Sequence, residues 1–325
     1  MIITYSEAIS AAIKEEMKRD KYLTLIGEDV GRYGGVFKAT KGLFEEFGPE
    51  RIRDTPISET AIIGTAIGSA MLGYRVIAEI MYIDFLMVAM DQLINQAAKL
   101  HYMTGGRVNV PIVIRTQEGA GIRNAAQHSQ CLEAWFAHIP GLKVIIPSNP
   151  YDAKGLLKTA VRDNNPVLFI EHKKLYSTKC EVPAEEYTID IGKADIKLTG
   201  QHLTLICYSY MVLIALEAAK ILKKKYNFEV EVVDLMTISP LDKETIIKSV
   251  KKTNKAAILH EAPLQGGFAG EIAAIIQDSA FDYLDYPILR LCGPDTPVPY
   301  APELEDFYVY TPEKVAERII DYFRL

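Results

Sequence analysis

The sequence predicts an α/β protein of two domains, each built on a mostly parallel sheet. The chain is 325 residues long, which exceeds one ordinary domain and suits two. Short apolar strand patterns alternate with longer helical patterns before residue 176 and again after residue 200. Near-continuous apolar strands of this kind are typical of parallel sheets covered by helices on both faces. We therefore predict domains over residues 1–175 and 201–325, joined by a linker over residues 176–200.

In the first predicted domain, strands and helices follow one another along the chain. The predicted strands are Tyr22–Ile26, Arg75–Ile80, Pro111–Arg115, Lys143–Ile146 and Val167–Glu171. The predicted helices are Ser6–Met17, Glu59–Leu72, Asp84–Met103 and Pro150–Arg162. Ser58 is the predicted N-cap of the second helix, because a serine oxygen can accept a first-turn N–H. That helix is apolar on nearly all faces, so we expect burial on all sides, with Gly64 and Gly68 at a tight helix contact or a subunit interface.

The second predicted domain repeats the alternation after a polar linker rich in charges, which we expect to cross the surface with a hairpin-like piece. Its predicted strands are Leu203–Tyr208, Glu229–Leu235, Ala256–His260 and Ile288–Leu291. Its predicted helices are Met211–Lys224, Asp242–Lys252, Phe268–Ser279 and Pro312–Phe323. Sheets of this type carry their sites in loops beyond the carboxyl ends of the strands, so we expect chemistry just after Arg53, Ile80, Arg115 and His260.

The charge balance and the cysteines restrict the class of protein. Acidic residues outnumber basic ones, 42 against 36, and no basic stripe is visible. This argues against a protein that coats nucleic acid or an anionic membrane. The four cysteines form no CxxC pair, which favours a reducing compartment and argues against zinc. The longest apolar run, Ala61–Tyr74, is too short to span a bilayer and no signal-peptide pattern is visible, so we predict a soluble, cytoplasmic protein.

Several common catalytic motifs are missing from the sequence. It contains no GxxxxGK(S/T) phosphate loop, no HExxH zinc motif and no GxSxG nucleophile elbow. The glycine-rich stretch 266–270 lacks the GxGxxG spacing and is interpreted as a turn that leads into a helix. A lone enzyme of this size normally carries its own phosphate or metal site. These absences indicate that the chain supplies only part of an active site.

Three constellations could carry chemistry, and each has a structural alternative. Glu59 is either a first-turn carboxylate placed by the helix dipole or a partly dehydrated acid aimed into a cavity. The aromatic side chains after Ile80, Phe85 among them, either stack on a planar cofactor ring or belong to the core. His128 follows a glycine-bearing loop and is either a structural hydrogen-bonding residue or a proton carrier, since imidazole titrates near neutrality. Cys131 fits a buried small residue better than a reactive thiol.

Long motifs at these constellations make the sequence resemble one family. In order along the chain they read DTPISE, EIMYIDF, AAQHSQCLEAWFAHIPGLKV, YDAKGLL, RDNNPV, VVDLMTISPLD and HEAPLQGGFAGEI. Together they resemble the β subunit of the E1 component of 2-oxo acid dehydrogenase complexes, which include pyruvate, branched-chain and acetoin dehydrogenases. The resemblance runs from about Thr4 to the end of the chain and is specific, because several long motifs recur in order.

The resemblance implies a fold, a cofactor and partners. The fold is an N-terminal thiamine-diphosphate-binding domain of the pyrimidine type, followed by a transketolase C-terminal-like domain. The cofactor is thiamine diphosphate, whose Mg²⁺ and diphosphate are held by a separate α subunit through a GDG-type motif that this chain lacks. The working enzyme is an α2β2 heterotetramer with β–β self-contacts, and it serves the lipoyl acyltransferase E2. The resemblance therefore implies an enzyme that decarboxylates a 2-oxo acid and is active only with its α subunit.

The resemblance also assigns roles to particular residues. Glu59 matches the glutamate that hydrogen-bonds the aminopyrimidine ring and favours its imino tautomer. Phe85 matches the aromatic residue that lines the aminopyrimidine pocket, with Met81 beside it. His128 matches the histidine that helps to transfer the acyl group to the lipoyl arm of E2. A structural K⁺ ion is implied, with oxygens, mostly backbone carbonyls, from Ile112, Ala160, Val161, Asp163 and Asn165.

The substrate signals divide between members of the family. Branched-chain members tend to have glutamine where Met81 stands, so Met81 favours pyruvate or acetoin. We expect pyruvate or a related 2-oxo acid narrowly ahead of acetoin, with a branched-chain 2-oxo acid as a further alternative. A non-catalytic assembly subunit that docks E2 is a different class of function, in which the acidic stretch 303–306 faces a basic partner. A stand-alone nucleotide-binding protein is the third hypothesis.

Overall fold

The computed structural model describes residues Met1–Arg324. Its contacts divide the chain into two compact units. The first unit comprises Met1–Glu118 and Trp135–Ile191, and the second comprises Gly119–Ala134 and the chain from Gly192 onward. A loop that follows a strand of the first unit is therefore counted with the second. No helix in the described part of the chain is both long enough and apolar enough to cross a bilayer.

The first unit is built on parallel strands with helices around them. Its strands are β1 (Ile2–Thr4), β2 (Leu23–Gly27), β3 (Ile52–Asp54), β4 (Arg75–Ile80), β5 (Ile112–Glu118), β6 (Lys143–Ile145), β7 (Val167–His172) and β8 (Lys179–Glu181). Its helices are α1 (Tyr5–Arg19), α2 (Leu43–Phe47), α3 (Glu59–Met71), α4 (Ala98–Met103) and α6 (Pro150–Arg162), and α5 (Glu133–Ala137) lies where the chain passes between the units. The main strands pair in parallel in the order β6-β7-β5-β4-β2-β3, while β1 pairs with β8 in antiparallel.

The segment predicted as one helix from Asp84 to Met103 has a more varied geometry. It consists of a 3-10 helix (Ile83–Ala89), a π-helical stretch (Asp91–Ala97) and then α4. Apolar periodicity does not distinguish these hydrogen-bonding patterns, because their side chains point in similar directions over one or two turns. Gly141 approaches the π-to-α junction so closely that a Cβ atom there would lie 2.1 Å from the Ala98 carbonyl oxygen.

Helix α3 differs from its prediction in how much of it is covered. One face is buried and consists of Ile62, Ile63, Ala66, Ile67 and Ala70. At the far end of the helix, however, Met71 is 52% exposed and the following Leu72 is 83% exposed. The prediction of burial on all sides is therefore wrong for this chain on its own. Composition shows how apolar a helix is but not what lies against each face.

The second unit has its own, smaller sheet. Its strands are β9 (Asp195–Leu198), β10 (Leu203–Cys207), β11 (Val230–Asp234), β13 (Ala256–Pro263) and β14 (Leu289–Gly293), and the short strand β12 (Thr237–Ser239) of the same unit is not part of this sheet. Its helices are α7 (Met211–Tyr226), α8 (Lys243–Thr253), α9 (Ala269–Ala280), α10 (Pro302–Tyr308) and α11 (Pro312–Phe323). The order is β14-β13-β10-β11-β9, parallel except for β9, and α7 and α11 bury one face of this sheet.

Candidate active site

The carboxyl edge of the first sheet brings several polar segments together. Because β2 lies between β3 and β4, Gly27 is opposite both Asp54 and Glu79. Asp54 accepts a hydrogen bond of 2.6 Å from the Gly31 N–H, and a Cβ atom on Gly31 would lie 2.5 Å from its carboxylate. This glycine is therefore required for the loop after β2 to fold back onto β3. The edge beyond β3 and β4 is where the sequence places Glu59 and Phe85, and this part of the chain lies within one unit.

Glu59 is the first residue of α3 and is half-buried. Ser58 precedes the helix as predicted, but its side chain makes no capping bond and instead donates to the Pro56 carbonyl at 3.2 Å. A hydrogen bond to a neighbouring segment holds the first turn of α3 instead. The Thr60 hydroxyl donates to the Val88 carbonyl at 2.7 Å, which connects α3 to the 3-10 helix Ile83–Ala89. That bond joins the first turn of α3, which carries Glu59, to the 3-10 helix that carries Phe85.

Glu28 is an acidic neighbour of Glu59 that the sequence pattern alone does not single out. It follows β2 directly and is half-buried. Burial raises the pKa of Glu28, and the carboxylates of Asp29 and Glu59 raise it further. The available signal was positional, since Glu28 stands just beyond the carboxyl end of a central strand. The surroundings of Glu59 are thus acidic.

Met81 and Phe85 lie on the loop and 3-10 turn after β4, and both are half-buried. Ile83 and Leu86 of the same turn are fully buried and make the core contacts. Tyr82 lies between Met81 and Phe85 in the sequence, and the Lys173 ammonium is 5.0 Å from the centroid of its ring. Burial raises the pKa of Tyr82, as do the nearby carboxylates led by Glu28. A partly open apolar and aromatic surface therefore adjoins the acidic edge.

A buried ion cluster lies on the strands that lead to this edge. Arg115 on β5 donates to Glu79 on β4 at 2.6 Å, and it binds Glu171 on β7 through two bonds of 2.6 and 2.8 Å. All three residues are at most 4% exposed. Burial acts to lower the pKa of Arg115, but Glu171 and Glu79 outweigh it and raise that pKa. Burial raises the pKa of Glu79, which has only one guanidinium contact, against the opposing effect of Arg115.

This cluster corrects the expectation of chemistry just after Arg115. Strand β5 continues to Glu118, so Arg115 lies inside the sheet rather than at its edge. The arginine is fully buried and its guanidinium is occupied by carboxylates on both neighbouring strands. The loop that carries polar residues begins at Gly119 instead.

The residues that the resemblance connects with K⁺ lie mainly around the end of α6. Asp163 follows the helix, and its carboxylate accepts hydrogen bonds from the Asn165 backbone and side chain, both at 2.9 Å, and from Lys143. Burial acts to raise the pKa of Asp163, but these donors lower it. The carbonyls of Val161 and Asp163 accept from the Arg75 guanidinium at 2.9 and 2.7 Å.

The oxygen donors fit a hard monovalent cation in type. The fit is limited by charge, because a guanidinium already lies against two of these carbonyls. Ala160 contributes its carbonyl to the last turn of α6, where it accepts from the Asp163 N–H at 3.2 Å, and Ile112 begins β5. The K⁺ site therefore stays a prediction.

His128 belongs to the loop Gly119–Ala134, which is part of the second unit. It is half-buried, and Ser129 and Cys131 beside it are buried, as expected for the cysteine. The loop is held by two carboxylates of the same unit. Glu261 on β13 accepts the Ala120 N–H at 2.5 Å, and Glu305 on α10 accepts the Gly121 N–H at 2.8 Å.

The burial of Glu305 corrects the interpretation of the stretch 303–306. This residue was expected to face a basic partner together with its acidic neighbours. It is 0% exposed, and its carboxylate is taken up by the loop and by Arg123. The side chain of Asp306 also binds Arg123, at 2.6 Å. Local charge density did not reveal that the helix turns one carboxylate inward.

Comparison with known proteins first defines the class. The family model described as the transketolase pyrimidine-binding domain matches residues 2–179, and the model of the transketolase C-terminal domain matches residues 192–315. A solved structure described as a split-gene transketolase, inactive β4 tetramer, has a TM-score of 0.80 at 20% identity, with 99% of both chains covered. That likeness concerns the fold alone. The predicted fold class is confirmed.

Closer relatives define the family. The β subunit of 2-oxoisovalerate dehydrogenase from Bacillus subtilis is 51% identical, over 97% of this chain and 96% of that protein. The β subunit of acetoin:2,6-dichlorophenolindophenol oxidoreductase from the same organism is 49% identical, over 97% and 95%. The β subunit of the pyruvate dehydrogenase E1 component from Rickettsia conorii is 46% identical, over 98% of each. The chain belongs to the family of E1 β subunits of 2-oxo acid dehydrogenases, which are components of thiamine-diphosphate-dependent enzymes.

Proposed function

We propose that this chain, together with an α subunit, decarboxylates a 2-oxo acid and passes the acyl group to the lipoyl arm of an E2 acyltransferase. The observation that carries the proposal is the acidic carboxyl edge of the first unit. There Glu59 begins α3, Glu28 lies close enough to interact with it electrostatically, and the first turn of α3 is bonded to the 3-10 helix that carries Phe85. An acid beside a half-open apolar surface suits a ring that is flat and carries basic nitrogens.

The same edge accounts for a divided cofactor site. When bound, thiamine diphosphate supplies a nucleophilic carbon and an electron sink for the loss of carbon dioxide. Glu59 would hold a proton against the aminopyrimidine ring, and Phe85 with Met81 would cover that ring. A diphosphate group would be repelled here, because Glu28 lies near the carboxylates of both Asp29 and Glu59. The diphosphate and its Mg²⁺ therefore require a cationic environment elsewhere, which we assign to the α subunit.

His128 is assigned to the second half of the reaction. Its imidazole would move a proton to or from the reacting sulfur as the acyl group is transferred to the lipoyl arm. It would not be needed for decarboxylation itself. Because the two roles are separate, we expect substitutions of Glu59 and of His128 to affect different steps of the reaction.

The exposed part of α3 supports association with further subunits. Met71 and Leu72 are more than half exposed, and a Cβ atom on Gly68 would meet nothing within 4 Å. Large apolar side chains that are exposed in a single chain, next to a glycine that leaves room for another backbone, are typical of an interface between subunits. We assign this face to the α2β2 assembly, including the β–β contact.

Pyruvate remains the favoured substrate in this proposal, on the ground of Met81. The names of the three relatives refer to 2-oxoisovalerate, acetoin and pyruvate, and these relatives are 51%, 49% and 46% identical to this chain. The differences in identity are too small to choose between the three substrates. A panel of pyruvate, 2-oxobutyrate, branched 2-oxo acids and acetoin, offered to the co-expressed pair, distinguishes the alternatives. Preference for a branched 2-oxo acid would overturn the choice of pyruvate and leave the reaction class intact.

The decisive variant is Glu59→Gln in the chain co-expressed with its α subunit. Loss of the acid should lower the rate of 2-oxo acid decarboxylation about a hundredfold or more, in the range typical of general acid–base catalysis. Glu50→Gln is the matched control, because the Glu50 side chain is 88% exposed and its ion pair with Arg53 lies at the surface. Full activity of Glu59→Gln would remove Glu59 from the mechanism, and an inactive unmodified pair would overturn the proposed function.

His128→Ala tests the second role. We expect acylation of a lipoyl domain to fall much further than reduction of an artificial electron acceptor, which bypasses the acyl transfer. Both assays use the same α–β preparation, so the second serves as the internal control. Equal losses in the two assays would reject the role in acyl transfer.

A non-catalytic role in docking E2 is the second candidate. It has lost part of its support, because Glu305 is buried and the exposed Asp306 is bound to Arg123, which leaves Glu303 as the exposed acid of the stretch that does not bind Arg123 in the described structure. Binding of thiamine diphosphate by the assembled pair, lost on substitution of Glu59 or Phe85, would favour catalysis over pure scaffolding.

A further inference from the structure

The loop Gly119–Ala134 has an unusual backbone for a segment that carries a functional residue. Four of its residues have positive φ: Gly119 (95°), Gly121 (93°), Arg123 (63°) and Ala125 (58°). The two non-glycine residues pay a steric penalty in this region. A loop with this backbone stays ordered only where surrounding groups determine its conformation.

Two buried carboxylates supply that constraint at the start of the loop. Glu305 is 0% exposed and accepts the Gly121 N–H at 2.8 Å, the Arg123 N–H at 3.2 Å and the Arg123 guanidinium at 2.5 Å. Glu261 is 8% exposed and accepts the Ala120 N–H at 2.5 Å. Ala120 itself is fully buried against Val298 and Tyr308. Charged acceptors bind backbone N–H groups about twice as strongly as neutral ones.

The far end of the loop is held by the same unit. The carboxylate oxygen of Glu261 that binds Ala120 also lies 3.8 Å from the Cys131 sulfur, so one side chain contacts both ends. The Gly119 N–H donates to the Gln130 carbonyl at 3.4 Å, and the Tyr208 hydroxyl donates to Glu133 at 2.7 Å. His128 stands between these two anchored ends.

We infer that Glu305 and Glu261 are positioning residues for His128: they hold the loop backbone in the one conformation that presents the imidazole for acyl transfer. Arg123 completes the arrangement by neutralising Glu305 from the solvent side, where its side chain is 35% exposed. This inference rests on the proposed function of His128. Neither carboxylate needs to touch substrate or cofactor, because each acts through the loop.

Glu305→Gln in the assembled α–β enzyme is the test. The amide keeps the shape of the side chain but loses the charge and places an N–H among donors, so the loop should loosen. We expect acylation of an isolated lipoyl domain to fall about tenfold, while reduction of an artificial acceptor changes less than about twofold. In the double variant with His128→Ala, no further loss of acylation should follow, because both changes remove the same function.

Glu313→Gln is the matched control, since Glu313 is also a first-turn glutamate, in α11, but is exposed. It should leave both assays unchanged. If Glu305→Gln fails to assemble, Arg123→Ala tests the same arrangement from its exposed side and should give a smaller but equally selective loss. Equal losses in both assays, or additive losses in the double variant, would overturn the inference.

A second readout does not depend on activity. Amide hydrogen exchange of peptides from residues 119–134 should be about tenfold faster in Glu305→Gln than in the unmodified enzyme, with the peptides of the β10 and β11 core unchanged. Unchanged exchange in the loop would overturn the inference even if activity fell. Faster exchange in Glu305→Gln, together with an unmodified pair that cannot acylate a lipoyl domain, would support the anchoring of the loop and reject the proposed function instead.

Discussion

The two units both bury carboxylates, but against different partners. In the first, Glu79 and Glu171 face the guanidinium of Arg115 across three neighbouring parallel strands. In the second, Glu261 and Glu305 face backbone N–H groups of an irregular loop, and Glu305 also binds the guanidinium of Arg123 in that loop. The first arrangement adds to strands that already have complete backbone ladders. The second supplies hydrogen bonds to a backbone that has no ladder of its own.

The difference shows what a buried acid can do in each setting. Inside a sheet, an ion cluster specifies which strands are neighbours, and removing one charge leaves the others unpaired in a dry environment. Against a loop, a carboxylate replaces the secondary structure that the segment lacks, so it determines where a functional side chain can stand. The first role concerns stability, and the second concerns geometry.

Removal of Arg115 should give the largest effect on stability. Arg115→Ala leaves Glu79 and Glu171 buried without their guanidinium, and we expect a loss of about 3–5 kcal/mol in the free energy of unfolding. Urea denaturation of the purified chain measures it. Arg53→Ala is the control, because Arg53 is 60% exposed and pairs with the exposed Glu50, so its loss should be about 0.5 kcal/mol. A loss below 1 kcal/mol for Arg115→Ala would show that the cluster does not hold the strands.

The pH dependence of the second unit should give the next effect. Burial lowers the pKa of His260 to about 4, with Arg290 acting in the same direction and Glu261 opposing it. The folded state therefore resists protonation while the unfolded chain takes up a proton below about pH 6.5, so stability falls as the pH falls from 6.5 toward 4.

The full contribution of this histidine is about 3 kcal/mol over that interval. Chemical denaturation of His260→Gln at pH 7.5 and 4.5 should show a flatter pH dependence than the unmodified chain. Equal slopes would mean that His260 does not carry the effect and that the carboxylates of this unit do.

The exposed partner of Arg123 should give the smallest effect. The Asp306 side chain is 65% exposed, so Asp306→Asn should cost at most about 0.5–1 kcal/mol in unfolding free energy and leave lipoyl acylation nearly unchanged. Thermal unfolding and the acylation assay measure the two quantities. A selective loss as large as that of Glu305→Gln would move the anchoring of the loop from the buried carboxylate to the exposed one.

Much of the fold was readable in the sequence because apolar periodicity is local. Helices α6 and α11 match their predicted bounds, and most predicted strands differ from the observed ones by one or two residues. The short edge strands were missed: β1 and β8 pair with each other, and β9 pairs with β11 from within the predicted linker. Strands of three or four residues show too little periodicity to be distinguished from a loop.

The sequence by itself determined the class of fold, the family and the positions of the candidate acid and histidine, because those follow from patterns and motifs within short stretches. Only the tertiary structure decided that Arg115 lies inside the sheet, that Glu28 stands beside Glu59, and that α3 keeps an exposed apolar end. It also paired Glu261 with Ala120 across 141 residues and Glu305 with Gly121 across 184. Such partners depend on which strands and helices become neighbours, and no local pattern encodes that choice.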